Sequence, residues 1–466
     1  MSKRIGRLAA IFTAAFISLV INLTYLQFIA ASSLTAKPEN IRPILYEKRI
    51  ERGKIISADG VVLATSNKVS DGYERFYPEG ETVSHITGFY SQKYGRSGLE
   101  LIYDEYLSGQ TRVSSIPDYI RRLLGKEAPG NDLTLTINMD IQRAAMKALG
   151  NRKGAAVVLN PKTGAVLALA SQPTYNPNDI DDNWKTISTN LDGAMLNRAL
   201  QGRFTPGSSF KIVTASAAIE ENLVSTDTVF SAPARSSVYG GKVSNYGGKD
   251  YGKATVEDAF SQSINTVFAQ IGLKLGGAKL VDYAKAFGLN ISIPFDLPTS
   301  EGWIPAASDM DKLEVAWTAV GQGRTLVTPL NMALICSTIA NDGKLMRPYL
   351  VEKISERNGN TIFKYRPSLW RQPISKDTAV IIKSFMEKTV DMGTGTRARI
   401  GSIRVAGKTG TAEVSKKEPH AWFVGFAPVE DPQVAVAVII ENGGSGGRVA
   451  APIAREILAT ALGKNR

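Results

Sequence analysis

Hydrophobic positions fall along this chain in three patterns. The first is unbroken. After Lys3, Arg4 and Arg7, residues 8–31 carry no charge, and these 24 positions suffice to cross the roughly 30 Å hydrocarbon core of a bilayer. Basic residues ahead of the run predict an N-terminus left in the cytoplasm and everything after the run outside. A cleaved signal peptide, with small residues at 30–33 for its cleavage site, and a buried soluble helix are the competing readings. The second pattern is short apolar runs bounded by turn residues, which predict strands. Residues 55–64 form a hairpin around Asp59-Gly60, and residues 133–137 alternate. Residues 155–159 and 165–170 flank the turn Asn160-Pro161-Lys162-Thr163-Gly164, and three more runs, 403–406, 421–426 and 434–440, come late. The third pattern has helical spacing: 140–149, 210–218, 256–275 in two pieces broken at 261–265, 330–340, 378–390 and 451–462.

Two strands early and three late, with helices between, predict one sheet assembled from both ends of a domain and flanked by helices. The expected fold class is α/β, of the α+β type. Three parts follow: a cytoplasmic tail and transmembrane anchor over 1–37, a small polar, tyrosine-bearing pedestal over 38–128, and a main domain over 129–466.

With 466 residues, 43% apolar and 21% charged, the chain holds two or three ordered domains. Its net charge of +12 comes without any basic run interleaved with aromatics, which argues for a basic surface and against a nucleic-acid partner. The single cysteine, Cys336, lies in an apolar run and reads as a small buried hydrophobe, so no intrachain disulfide forms. The two histidines, His85 and His420, are far apart and no Cys/His cluster exists, so neither a metal nor another cofactor is expected.

Candidate chemistry begins at Pro206-Gly207, which closes a loop, and Ser208, which opens the apolar run 210–218. Ser208 and Lys211 share a helix face. A hydroxyl beside an amine held neutral by desolvation is a nucleophile that needs no histidine. Serine is also an ordinary helix N-cap, and Ser-x-x-Lys arises by chance about once or twice in a chain this long. Ser263-Ile264-Asn265, at the helical break, supplies a hydroxyl to relay a proton and an amide to hold the lysine. Lys408-Thr409-Gly410-Thr411, expected at the end of strand 403–406, offers a cation for a carboxylate, with Gly410 admitting a substrate backbone. The N–H groups of Ser208 and Thr411 can form an oxyanion hole. The other Lys-Thr-Gly, at 162–164, falls in a hairpin turn and is assigned to structure.

Taken in chain order, Pro206-Gly207-Ser208-Ser209-Phe210-Lys211, Ser263-Ile264-Asn265 and Lys408-Thr409-Gly410-Thr411-Ala412 resemble the three signature motifs of penicillin-binding transpeptidases, with similar separations of 55 and 145 residues. Arg52-Gly53 through Asp59-Gly60 and Gly98-Leu99-Glu100 resemble landmarks of the class B pedestal. Asn197-Arg198-Ala199, Gly321-Gln322-Gly323 and Gly393-Thr394-Gly395 resemble segments of the transpeptidase domain. Ser-Ile-Asn departs from the frequent Ser-Ser-Asn, and Ser57-Ala58-Asp59-Gly60 from a more polar turn; neither touches the presumed catalytic atoms. The resemblance implies an antiparallel sheet and a peptidoglycan D,D-transpeptidase. In it Ser208 attacks the penultimate D-Ala carbonyl of a stem peptide ending in D-Ala-D-Ala, and Lys211 takes the serine proton. Ser263 passes a proton to the leaving amine, Asn265 orients Lys211 and the substrate, and Lys408, Thr409 and Thr411 bind the terminal carboxylate. A β-lactam would leave Ser208 acylated. About 100 residues between anchor and main domain are too few for a glycosyltransferase as well, so the resemblance implies a class B enzyme with a separate membrane glycosyltransferase partner.

Rivals remain at this point. A Ser208/His420/acid triad competes as mechanism, although Lys211 already fills the base position and a structural histidine is the simpler reading of His420. A β-lactamase or β-lactam sensor needs an acid that activates water, and none is assignable. A carboxypeptidase substitutes water for the acceptor amine, and a non-catalytic scaffold has no need of the motifs.

Overall fold

The computed structural model describes residues 2–26, 47–109, 129–415 and 417–464. Helix α1 spans Ser2–Thr24, and its stretch Lys3–Thr24 has a mean hydropathy of 1.8 with none of its most apolar window buried. By length and composition this helix can cross a membrane. It starts ahead of residue 8 and so takes in Lys3, Arg4 and Arg7; residues 27–31 of the expected span lie outside the described residues.

The main domain is built on a five-stranded antiparallel sheet. A hairpin of β1 (Gly154–Leu159) and β2 (Val166–Gln172) adds to a meander of β3 (Ala406–Val414), β4 (Lys417–Ala427) and β5 (Val434–Ile440), giving the order β3-β4-β5-β1-β2. The expected assembly from both chain ends is therefore what forms. β5 is apolar at every position because both faces of the sheet are covered, and all seven of its residues are buried. Helices Met139–Leu149 (α2) and Ala450–Ala461 pack against one face. Against the other lies Pro329–Ala340, buried along its whole length and started by Pro329 and a Thr328/Asn331 capping box. Below it pack Lys211–Glu220 (α3), Asn265–Leu275 and Lys376–Asp391.

The 55–64 hairpin forms as expected, with Ile55 opposite Ala64 and Gly60 at φ +83°. Its sheet then continues beyond residue 128. Ile55–Ile56 runs parallel to Asp132–Leu135, which pairs in turn with Val351–Ser355 and, through it, Thr361–Lys364. Pedestal and main domain thus share one hydrogen-bonded sheet, a sharing that local pattern conceals because its strands come from three separated stretches.

Under that sheet, the Arg52-Gly53 and Gly98-Leu99-Glu100 landmarks meet. Glu100, fully buried, accepts from Arg52 Nη2 at 2.8 Å and Arg75 Nε at 2.6 Å, while Arg52 Nη1 reaches Asp104 at 2.7 Å. Burial alone would raise the Glu100 carboxyl, but the two guanidiniums outweigh it and hold it below its ordinary value. Glu100→Gln leaves the Arg75 guanidinium without its carboxylate and the Arg52 guanidinium with Asp104 alone. It is expected to lower the unfolding free energy by about 3–5 kcal/mol in urea denaturation followed by tryptophan fluorescence; a loss below about 1 kcal/mol contradicts this account.

Candidate active site

Ser208 does not open an α-helix. Gly207–Phe210 form a 3-10 turn, and α3 begins at Lys211 and runs to Glu220, where residues 210–218 were expected. No side chain caps either element, so Ser208 is not an N-cap. Gly207 has φ +55°, and a Cβ there would stand 2.9 Å from the carbonyl carbon and oxygen of Thr411. A Cβ on Gly410 would lie 2.9 Å from the Pro206 carbonyl oxygen and 3.2 Å from the Ser209 nitrogen. The turn therefore lies directly on β3, and the space beside Gly410, expected to admit a substrate, is taken by the chain's own Ser208 turn. Trp422, opposite Gly410 on β4, pins the approach by donating its Nε1–H to the Thr205 carbonyl at 3.0 Å.

The Lys408–Thr411 motif lies inside a strand. The expected strand 403–406 is replaced by β3, Ala406–Val414, and Ile403 makes only an isolated bridge to Ile400. The shift has a physical reason: threonines and glycine carry little apolar signal, yet β-branched threonine suits an edge strand, and β3 is an edge.

Ser263 sits between helix Val256–Ser261 and helix Asn265–Leu275, at φ +61°. Its N–H donates to Phe260 and that of Ile264 to Ala259, at 3.1 and 2.8 Å. This pair of bonds terminates a helix through a left-handed residue, normally glycine; a serine there costs about 1 kcal/mol. The cost places the carbonyl and hydroxyl of one residue against Lys211.

The Lys211 amine donates to Asn265 Oδ1 at 2.7 Å and the Ser263 carbonyl at 2.8 Å, and lies 3.3 Å from Ser263 Oγ. The Lys408 amine donates to the same Oγ at 2.9 Å and to the Thr409 carbonyl at 3.2 Å. Asn265 is itself fixed by donating to the Ser244 carbonyl at 2.8 Å. Both lysines are fully buried, and among the described residues neither has a carboxylate partner. Burial, and then the Lys408 charge, push the Lys211 amine well below its ordinary value; burial pushes Lys408 down to about 7. A neutral Lys211 has two N–H bonds, which its two short acceptors use. Its lone pair is then free for a hydroxyl.

Ser208, Ser263, Asn265, Thr409 and Thr411 line a cleft of about 560 Å³ that opens above these amines. Motif reading missed Thr394, whose hydroxyl shares a 2.5 Å hydrogen bond with that of Thr409, although its Gly-Thr-Gly setting had been noticed. It also missed Phe260 and Phe268, whose rings lie 5.6 Å and 5.2 Å from the two amines and look like any other apolar helix residues in sequence. His420 takes no part. Its Nδ1 accepts from the Asn442 N–H at 3.0 Å and its ring packs edge-on against Phe204, as a structural histidine does. Lys162 of the second Lys-Thr-Gly pairs with Asp431 on the surface. Among the described residues no cluster of His, Cys, Asp and Glu could hold a metal.

Residues 154–459 match the family model described as the penicillin binding protein transpeptidase domain, and residues 52–133 that of the penicillin binding protein A dimerisation domain. Over 99% of both chains, the sequence is 34% identical to peptidoglycan D,D-transpeptidase PbpA of Mycolicibacterium smegmatis. The structure is similar, at TM-score 0.85 and 33% identity over 90% of this chain and 100% of the other, to penicillin-binding protein A of M. tuberculosis in a ceftriaxone acyl-enzyme complex. It is also similar, at TM-score 0.83 and 42% identity over 90% and 99%, to the D,D-transpeptidase domain of a peptidoglycan glycosyltransferase from Eggerthella lenta.

The buried amines set a stability test. An unfolded lysine keeps its proton up to about pH 10.4, whereas folded Lys408 loses it near 7, so the native state binds fewer protons between those values. The penalty from Lys408 is thus full below about 7 and gone above about 10.4. Lys408→Met is expected to stabilise the fold by about 1–4 kcal/mol near neutrality and by progressively less toward pH 10, in denaturant titrations at both pH values. An equal effect at both would show that the amine keeps its proton.

Proposed function

The chain belongs to the penicillin-binding protein transpeptidases, as a class B peptidoglycan D,D-transpeptidase, and on that footing we propose how its residues divide the reaction. The carrying observation is the shared hydroxyl of Ser263, 3.3 Å from one buried amine and 2.9 Å from another, at the floor of the cleft that Ser208 lines.

Ser208 gives its proton to the Lys211 lone pair as its oxygen bonds to the penultimate D-Ala carbonyl carbon. The oxyanion that forms is held by the N–H groups of Ser208 and Thr411, a pairing supported by the contact of the serine turn with Thr411. Lys211 returns the proton through Ser263 to the departing amine. The C–N bond breaks, D-Ala leaves, and an ester to Ser208 remains. An amine of a second stem then attacks the ester carbon, loses a proton by the reverse route and restores Ser208, closing the cross-link. Water in place of that amine would give a carboxypeptidase side reaction. Thr409 and Thr411, which line the cleft, meet the terminal carboxylate through their hydroxyls, and Lys408 supplies its charge from the layer beneath. Asn265 holds the Lys211 amine in line. Neither a metal nor a cofactor enters the scheme.

We further propose residues 1–37 as anchor with a cytoplasmic tail, 38–128 as pedestal and 129–466 as the extracytoplasmic catalytic unit, working beside a membrane glycosyltransferase. The apolar α1 with Lys3, Arg4 and Arg7 at its start supports that orientation.

Intact-protein mass spectrometry after fluorescent penicillin is expected to give one adduct, mapped to Ser208 and absent from Ser208→Ala. Ser263→Gly keeps a residue suited to φ +61° and is expected to remain folded while its acylation rate falls about 10²-fold or more. Label elsewhere, or unchanged acylation in Ser263→Gly, overturns the assignment; nitrocefin turnover beyond one equivalent indicates a β-lactamase. For topology, a cysteine placed after Met1 in Cys336→Ala protein is expected to resist a membrane-impermeant thiol reagent in intact cells, and one placed on the exposed Tyr246 loop to react. The opposite pattern reverses the orientation.

A further inference from the structure

Each of the two buried amines stands over a buried aromatic ring. The Lys211 amine lies 5.2 Å from the centroid of Phe268, and the Lys408 amine 5.6 Å from that of Phe260. Phe260 lies near the end of helix Val256–Ser261, where its carbonyl accepts the Ser263 N–H, and Phe268 lies one turn into helix Asn265–Leu275. Asn265 and Phe268, three apart, share a face of that helix, which offers Lys211 both an amide oxygen and a ring. The two rings are 6.2 Å apart, Phe385 stands 5.7 Å from Phe260, and all three are fully buried. The segment that sets the Ser263 hydroxyl between the amines thus also carries a ring for each.

The face of an aromatic ring carries partial negative charge. It attracts an ammonium within about 6 Å of its centroid, more strongly where water is excluded, and does little for a neutral amine. Burial strips both lysines of their protons, and the Lys408 charge adds to this at Lys211; the rings act in the opposite sense. The charges on neighbouring elements are engaged elsewhere or exposed. Glu257 and Asp258 pair with Lys388, Glu387 pairs with Arg404, and Lys249, Arg397, Glu413 and Arg448 stand exposed along the cleft. Resting on the reading above, in which Lys211 is the base and Lys408 the partner of the carboxylate, we propose that Phe260 and Phe268 are positioning residues of the reaction. Phe268 holds the ammonium that Lys211 becomes as the Ser208 O–H bond breaks and its proton joins the Lys211 lone pair. Phe260 holds the ammonium that Lys408 keeps for the terminal carboxylate. A base so desolvated is weak unless its conjugate acid finds support, and a ring gives that support without an anion that would hold the proton in place.

The test measures the second-order rate of benzylpenicillin acylation of Ser208 from about pH 5 to 9, with full-length protein in detergent; the acid limb reports Lys211 and the alkaline limb Lys408. Phe268→Leu is expected to move the acid limb to lower pH by roughly half a unit to one unit. It leaves the alkaline limb in place, because Lys211 is already neutral there. Phe260→Leu is expected to move the alkaline limb to lower pH by a similar amount and to leave the acid limb, where Lys408 is charged in both proteins. Mono-, di- and trifluorophenylalanine at either position thin the charge on the ring face at nearly constant shape, and are expected to move the same limb stepwise. This series reads the effect should a leucine disturb the packing. A limb that keeps its pH, or moves upward, in the leucine variant and across the fluorinated series overturns the role of that ring, whatever the rate, while Ser208 acylation stands. Wild-type protein that benzylpenicillin does not label at Ser208 overturns the transpeptidase reading itself.

Discussion

Two amines buried side by side, bridged by one hydroxyl and, among the described residues, without a carboxylate to balance them, are the constraint around which the main domain of this molecule is arranged. Placing even one unpaired ammonium in a protein interior is costly, and two within reach of a single oxygen cannot both stay charged. The site resolves this by letting Lys211 become the neutral partner, since burial and the Lys408 charge beside it both push its proton off. A neutral amine in contact with good acceptors is a base by default. In the proposed scheme, what a histidine supplies in other serine enzymes through its ordinary titration, a lysine supplies through burial.

Holding that arrangement takes material from distant parts of the chain. α3 contributes Lys211 and the interrupted pair of helices contributes Ser263 and Asn265. β3 contributes Lys408, and β4 fixes the loop before Ser208 through Trp422. The glycines at 207 and 410 let the Ser208 turn rest on the strand with no side chain between them. The left-handed serine at 263 trades a little helix stability for a hydroxyl placed where both amines meet it.

Much of this was legible in advance, for identifiable reasons. β5 and the Pro329–Ala340 helix are buried on all sides, so the unbroken apolar run of the one and the largely apolar run of the other announced them. The three motifs singled out side chains that the fold brings together, because acid–base chemistry allows few residue types. What escaped was whatever depends on a neighbour. β3 hid behind Lys, Thr and Gly, residues that form a strand here because β4 lies alongside. The purpose of Gly410 was misread because the group crowding it, Pro206, is two hundred residues away in sequence. That the pedestal's sheet runs on past residue 128 was hidden because no local signal reveals that Val351–Ser355 returns to pair with Asp132–Leu135. Phe260 and Phe268 carry no mark that separates a ring beneath an amine from a ring in the core.

The order of strands in the main sheet bears on how the molecule comes into being. β1 finds its partner β5 only after nearly three hundred further residues, with Val157 opposite Ala437 and Val158 opposite Val436. Synthesis proceeds from the N-terminus, so the β1–β2 hairpin emerges early with one apolar edge unmatched and has to wait until almost the whole polypeptide has been made. Long-range closure of this kind is slow and leaves a nascent chain open to misassociation. An architecture that joins first and last strands at its centre therefore ties the appearance of a working nucleophile to the completion of the chain.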